Sequence, residues 1–378
     1  MHYLDNAATT RPLESVGKAV LSAMNENFGN PSSLYRLGID AEGVINEARK
    51  NVADALGCEE GELCFTSCAT ESSNTVIFGV AENYGKRKKK KAVTTTIEHP
   101  SVAEAFNKLE KQGFEIVRVS PDENGEITAE MITDAVDDNT FLVSCMLVNN
   151  ETGYILPIDK AFRSIKKKYP DCITHCDAVQ GFLKIDFKVK NLFADCISLS
   201  GHKIHAPKGV GALYVKKGVR VAPLLVGGGQ EKGKRSGTEC TPLIAGFGQA
   251  VKELSPTVEE RLSKAESLKN YLLDKISLCD GIEINSKPDS SPYINSIAVL
   301  NIKSETLLHY LEARGVYVSS GSACSRGKKS SVLKEFRVGE KRLDSTIRVS
   351  FSEETTTADI DILIEEIKNA QKELCKIK

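Results

Sequence analysis

Apolar positions along this chain follow two alternating rhythms up to about residue 220 and a different arrangement after about residue 255. Residues 45–57 (INEARKNVADALG) carry apolar side chains at helical spacing, whereas 91–97 (KAVTTTI) and 114–119 (FEIVRV) read as strands. Residues 140–148 (TFLVSCMLV) are continuously apolar, the signature of a strand buried on both faces. Residues 157–169 open with proline and end in basic residues, a sound helix pattern, and two short strands follow in CITHCDA and ADCISLSGHK. Such strand–helix repetition predicts a parallel sheet covered by helices, with ligands bound beyond the carboxyl ends of its strands.

After about 255 the pattern becomes a long charged helix (257–278), the strand INSIAVLNI, the helix SETLLHYLEARG, the strand TIRVSF and a last helix from about 357. The expected division is a large unit over 16–255 and a smaller α+β unit formed by 1–15 together with 256–378.

Composition narrows the choice. Of 378 residues, 41% are hydrophobic and 27% charged, and the net charge of −1 leaves no global field for nucleic acid or a membrane. The basic run at 85–91 (GKRKKKK) reads as a solvated connector. No apolar stretch approaches the ~18 residues of a membrane span, and MHYLDNAATT lacks a signal pattern, so a cytoplasmic protein is expected. Eleven cysteines lie mostly in apolar runs, as small buried hydrophobes do in a reducing compartment. Cys172, His175 and Cys176 lack a second pair at metal spacing, and strand alternation explains them better; no metal is expected.

Three strand ends carry candidate chemistry. In CFTSCATESSNT (64–75) a strand runs through small hydroxyl residues into a helix, whose free N–H groups suit an anion such as phosphate, although serine and threonine also cap helices generally. Asp177, after a strand, can pair with a protonated ring nitrogen or cap the next helix. Lys203, after Ser200 and His202, is either a surface lysine or a desolvated amine able to form a Schiff base. A glycine loop, GGGQEKGKRSGT (227–238), matches G-x-x-x-x-G-K over 228–234. Arg235 stands where the magnesium-binding hydroxyl belongs, and the loop comes late in the sheet, which argues against nucleotide binding. One ligand satisfies the three strand ends together: pyridoxal 5'-phosphate, with its phosphate, ring nitrogen and aldehyde.

The sequence also resembles the cysteine desulfurases, class V members of the aminotransferase-like pyridoxal phosphate enzymes. The likeness runs through YLDNAATT, FGNPSS, EARKNVADALG, FTSCATESSN, IEHPSV, VNNETG, DAVQ, SGHKIHAPKGVGALYV, GGGQEKGKRSGT and SSGSACS to TIRVSFS, covering nearly the whole chain. It implies the pyridoxal phosphate fold type I: a large, mostly parallel mixed sheet with a smaller α+β unit. The resemblance implies that Lys203 holds the cofactor, Asp177 pairs with its ring nitrogen, Gln180 bonds its phenolic oxygen, and His99 stacks on the ring and moves protons. Asn150 would lie near the ring oxygen and substrate. Ala69, Thr70, Ser200 and His202 would hold the phosphate with Thr238 of a neighbouring protomer, making a homodimer with shared sites. Arg348 would clamp the substrate carboxylate, with Asn30 nearby.

The implied reaction converts L-cysteine to L-alanine. Cys324, in the soft segment VSSGSACSRGKKSS, would accept the sulfur as a persulfide and pass it to an acceptor protein, for iron–sulfur cluster or tRNA sulfur supply. Arg326, Lys328 and Lys329 are expected to lower the Cys324 pKa from about 8.5, and the segment, flanked by Gly321 and Gly327, is expected to be poorly ordered without substrate. The alternative is another class V enzyme, a selenocysteine lyase or a small-amino-acid aminotransferase, neither of which explains a mobile thiol as simply. Three residues depart from the usual pattern: Cys68 where glycine is usual, Gln230 where histidine is common, and His205 with Ala206 where tyrosine and glycine are common.

Overall fold

The computed structural model describes residues 1–85, 90–320 and 330–374. Cys324, with its flanking glycines and basic residues, lies outside the described residues, as do positions 86–89 of the basic run.

The chain opens with β1 (His2–Tyr3). The strands β2 (Leu63–Thr66), β3 (Lys91–Thr95), β4 (Glu115–Val119), β5 (Thr140–Met146), β6 (Ile173–Asp177), β7 (Cys196–Ser200) and β8 (Gly211–Val215) follow. The C-terminal part adds β9 (Ile282–Ile284), β10 (Ile294–Val299), β11 (Val316–Tyr317), β12 (Ser319–Ser320) and β13 (Thr346–Ser350). β2 to β8 form a sheet in the order β2-β8-β7-β6-β5-β3-β4, in which only β8 runs against its neighbours. This is the mostly parallel mixed sheet expected from the alternating pattern. A second, antiparallel sheet has the order β12-β13-β10-β9, and β1 pairs in parallel with β11.

Burial explains why these segments are strands. Every residue of β5, β6 and β7 is buried, because helices cover both faces of the large sheet. The side chains of each of these strands are divided between two different cores. Leu142, Ile173 and Cys196 join Phe106 and Phe141 on one face, while Val143, Cys176 and Ile197 join Phe162 and Phe247 on the other. Each such apolar side chain contributes roughly 1.5–3 kcal/mol when buried. A third core lies between the small sheet and the helices Val258–Ser277 and Thr357–Glu373, with Leu272, Ile297, Val349 and Leu363 at its centre. Leu4 belongs to it, so the N-terminal strand is built into the C-terminal part of the fold.

His175 sits in β6 with both ring nitrogens engaged, by Ser144 Oγ at 2.7 Å and Ser198 Oγ at 2.9 Å. Its environment is that of a core histidine. One helix differs from expectation: it spans Arg36–Leu56, starting well before the periodic stretch at 45. Residues 36–44 carry two glycines and little apolar pattern. A Cβ on Gly38 would stand 2.1 Å from Ser33 O, so the early turns depend on a backbone contact that hydrophobic periodicity does not report.

Candidate active site

The parallel strands end on one edge of the large sheet, and the candidate residues lie just beyond it. β6 ends in the buried Asp177, in register with Ser198 of β7. β7 ends at Ser200, and a single 3-10 turn, Gly201–Lys203, carries the lysine back over the edge. Val210 Cγ1 lies 3.0 Å from where a Cβ on Gly201 would stand, so the turn is tight. Lys203 Nζ donates to Ala7 O at 2.6 Å and Ala8 O at 2.7 Å.

Asp177 accepts from Val179 N at 3.0 Å. Burial raises its pKa to about 6, opposed by the Val179 N–H and by the positive charge of Lys203. Gln180, also buried, donates from Nε2 to Ala7 O at 2.9 Å, so the same carbonyl receives Lys203 and Gln180.

His99 caps the helix Pro100–Lys111, which explains its fixed position at the end of β3. Its Nδ1 lies 2.8 Å from Ser101 Oγ and accepts from Ser101 N at 3.2 Å. Burial, and secondarily Lys203, lower its pKa to about 4, so the ring is neutral at pH 7. Ser101 serves either neutral tautomer: its N–H donates to a bare Nδ1, and its hydroxyl accepts from Nδ1–H and frees Nε2 to take a proton.

The helix Ala69–Val80 starts at the same edge. Its N-cap, Cys68, makes no side-chain cap bond, and Thr70 is exposed at the second helical position. The backbone of Cys68 is extended (φ −175°), which any residue adopts, so the departure from glycine is accommodated there. Arg235 Nε binds Glu71 Oε1 at 2.9 Å and Glu71 Oε2 accepts from Ser67 N, tying the glycine loop to this helix start. His202 contacts Thr9 Oγ1 through Nδ1 at 3.2 Å, and burial lowers its pKa to about 4.

Arg348 in β13 is buried and held from two sides: Nη1 donates to Asn150 O at 2.7 Å and Nη2 to Asp5 Oδ1 at 2.8 Å. Among the described residues its buried Nε has no hydrogen-bond partner. Asn150 therefore meets Arg348 through its backbone. Asn30 is exposed and its side chain accepts from Ser32 N within its own turn; it is not among the hydrogen-bond partners of Arg348. Thr238 is exposed at the end of the glycine loop. That loop is not shaped for a nucleotide: Lys234 Nζ donates to Gly61 O at 2.7 Å, and Glu231 turns inward to bind Arg49 and Phe65 N. Gln230 accepts from Gly237 N at 2.8 Å and closes the loop. His205 has φ 60° and lies between Arg11 O (2.7 Å) and Glu353 Oε2 (3.0 Å).

Four polar residues at this edge escaped the sequence reading: Asp5, Glu98, Glu151 and Lys184. Asp5, Glu98 and Glu151 each sit inside a quoted motif, Glu98 and Glu151 directly beside the assigned His99 and Asn150. Glu98 is fully buried, accepts from Thr95 Oγ1 at 2.7 Å and Met146 N at 2.9 Å, and burial raises its pKa to about 8. Burial likewise raises Glu151 to about 7, and it accepts from Ser330 Oγ at 2.5 Å.

The donor set fits pyridoxal phosphate. Unpaired helix-start N–H groups and Thr70 suit a phosphate, a buried carboxylate suits a cationic ring nitrogen, and an amine suits an aldehyde.

Comparison with known proteins agrees with this geometry. The aminotransferase class-V family profile matches residues 2–363. A cysteine desulfurase IscS of Methanosarcina thermophila is 38% identical over 98% of this chain and 92% of its own length. The chain belongs to the cysteine desulfurases of the class V aminotransferase family. Within that family, a solved NifS-like protein superposes with a TM-score of 0.93 at 37% identity, covering 98% of this chain and 99% of the other. A structure described as SspA in complex with cysteine superposes with a TM-score of 0.83 at 31% identity, covering 94% and 100%. These relatives support the desulfurase reading over the lyase and transaminase alternatives.

Proposed function

We propose that this protein uses pyridoxal 5'-phosphate to take sulfur from L-cysteine, releases L-alanine and passes the sulfur on through Cys324. The observation that carries the reading is the convergence of Lys203, Asp177, Gln180 and His99 at one sheet edge, with the charge of Lys203 felt by both Asp177 and His99.

When bound, the cofactor supplies an electron sink for the substrate's α-carbon. Lys203 would hold its aldehyde, Asp177 its ring nitrogen, and Gln180 its phenolic oxygen. Ala69, Thr70, Ser200 and His202, with the partner subunit's Thr238, would hold its phosphate. Arg348 would bind the substrate carboxylate, for which its unpartnered Nε is a ready donor, and Asn150 and Asn30 would complete the substrate surroundings. His99, neutral and free to exchange tautomers through Ser101, would take and return the proton at the α-carbon. The Cys324 thiolate would then attack the substrate sulfur. A sulfur–sulfur bond forms as the carbon–sulfur bond breaks, and the released electron pair goes to the substrate, which takes up a proton and leaves as alanine.

A homodimer is supported by exposed apolar side chains on 28–39 (Phe28 66%, Leu34 95% and Tyr35 62% exposed) and at Leu224, Leu225 and Val226. Aggregates of exposed apolar residues of this kind mark protein contacts. We further propose the division into 16–255 and 1–15 with 256–378, which the separate third core supports. We also propose delivery of sulfur to an acceptor protein of cluster assembly or tRNA thiolation, in the cytoplasm. Among the described residues no helix is long and apolar enough to cross a membrane.

The test is incubation with L-cysteine and a thiol reductant. Alanine and sulfide should appear in equal amounts, and Cys324→Ser should stop both. Full-rate alanine production by that variant would remove Cys324 from the reaction, and no consumption of cysteine would overturn the function.

A further inference from the structure

Lys184 is a buried lysine that neither the motifs nor the proposed chemistry uses. It lies one helical turn's spacing after Gln180, in the turns that follow β6. Its Nζ donates to Gln180 Oε1 at 3.2 Å, and Gln180 Nε2 donates to Ala7 O, the carbonyl that also receives Lys203 Nζ. The two lysines are therefore joined through one amide side chain and one backbone carbonyl.

This arrangement fixes the amide. A lysine ammonium only donates, so the group facing Lys184 must be the Gln180 oxygen. A carbonyl only accepts, so the group facing Ala7 must be the Gln180 nitrogen. Both ends give the same orientation. A neutral apolar residue at 184 would leave the oxygen unpaired and the amide free to turn.

The charged groups around Lys184 are mostly positive. Lys203, Arg348 and Arg261 all act on Lys184 in the same direction, and Glu353 acts against them. Glu353 Oε2 is already engaged by His205, and the Tyr293 ring lies 6.0 Å from Lys184 Nζ. Burial, then Lys203, lowers the Lys184 pKa to about 7. By reciprocity, whatever positive charge Lys184 carries disfavours protonation of Lys203.

We propose that Lys184 is a positioning residue: it locks Gln180 with its amide nitrogen on the Ala7 carbonyl that also receives Lys203, and in its protonated form it disfavours a proton on the Lys203 nitrogen. The inference rests on the cofactor reading above and deepens it by naming what sets the state of the reactive amine.

The test compares wild type, Lys184→Met, Gln180→Leu and the double variant. In the holoenzyme, the visible absorption of the bound cofactor is titrated with pH. In the full-length apo protein, Lys203 is titrated by competitive acetylation read by mass spectrometry. Lys184→Met should raise both midpoints by about one pH unit, the direction set by removing a nearby cation. It should also weaken pyridoxal phosphate binding about tenfold. Gln180→Leu should weaken binding similarly, and the double variant should be no worse than either single one. Unchanged midpoints in Lys184→Met, or losses of affinity that simply multiply in the double variant, would overturn the proposal. If Lys184→Met loses its native circular dichroism, Lys184→Gln carries the same titrations. Failure of the wild type to act on L-cysteine would overturn the proposed function, while the apo titration would still decide the role of Lys184.

Discussion

Asp5 and Arg348 stand 343 positions apart and form a partly buried ion pair at 2.8 Å. With Asn150 O on its other side, the guanidinium is fixed from two sides, and under the proposed function such preorganisation would reduce the cost of binding a carboxylate. Arg348→Lys keeps the charge but loses the fork. Its kcat/KM for L-cysteine should fall about 100-fold, mostly through KM, equivalent to roughly 3 kcal/mol for a lost charged hydrogen-bond pair. Asp5→Asn should cost less, about tenfold, because Asn150 still holds one arm. Steady-state kinetics on both variants check the order.

Ser101 is the only side chain hydrogen-bonded to the His99 ring among the described residues. Ser101→Ala leaves its backbone N–H to bind Nδ1, which traps the tautomer protonated at Nε2. The expected result is a drop in kcat of about tenfold with KM nearly unchanged, and a larger α-deuterium isotope effect on the alanine-forming step. An unchanged isotope effect with normal kcat would remove His99 from proton transfer.

Glu98 makes the stability of the fold depend on pH. Its folded pKa, about 8, lies above the ordinary value of 4.5, so the protonated form is favoured on folding. That contribution is complete below about pH 4.5 and is lost as pH rises toward 8. Glu98→Gln keeps an oxygen for Met146 N–H and cannot ionise. Its melting temperature relative to wild type should improve between pH 5 and pH 8, by about 4 °C. A constant difference across that range would show that Glu98 is not held neutral.

Glu231 anchors the glycine loop with both oxygens, at 2.7 and 2.9 Å from Arg49, and also accepts from Phe65 N at 3.0 Å. Its backbone is left-handed (φ 51°), and Lys232 and Gly233 follow in the same region. Glu231→Ala would leave Arg49 and a strand N–H unpaired, so urea denaturation should show a loss of about 3–5 kcal/mol. Because Thr238 rides on this loop, the variant should also bind pyridoxal phosphate more weakly.

The central strands were legible because a strand buried on both faces is mostly apolar, and β5, buried at every position, departs from that only at Thr140 and Ser144. The helix Arg36–Leu56 was legible only in its second half, since the reason for its first turns is the fit of Gly38 against Ser33. Position at strand ends singled out Asp177 and Lys203 as candidates but left a helix cap and a surface lysine open, and the resemblance supplied their roles as it did for the rest. Asp5 was not, because its partner comes from the other end of the chain. Lys184 shows a different limit: its four-residue spacing from Gln180 is visible, but a single lysine in sequence carries no mark of being buried. Cys324 lies outside the described residues, so its relation to Lys203 rests on the proposal.

The N-terminal segment is a ruler. Asp5 sets the guanidinium that would take one end of an amino acid, and Ala7 and Ala8 set the amine that marks the other. Asn6 alone separates the Asp5 and Ala7 holds, which stand at most about 7 Å apart along the backbone. Under the proposed function that spacing would set how far the guanidinium stands from the amine, and inserting a single residue between Asp5 and Ala7 would shift one against the other without touching either reactive group.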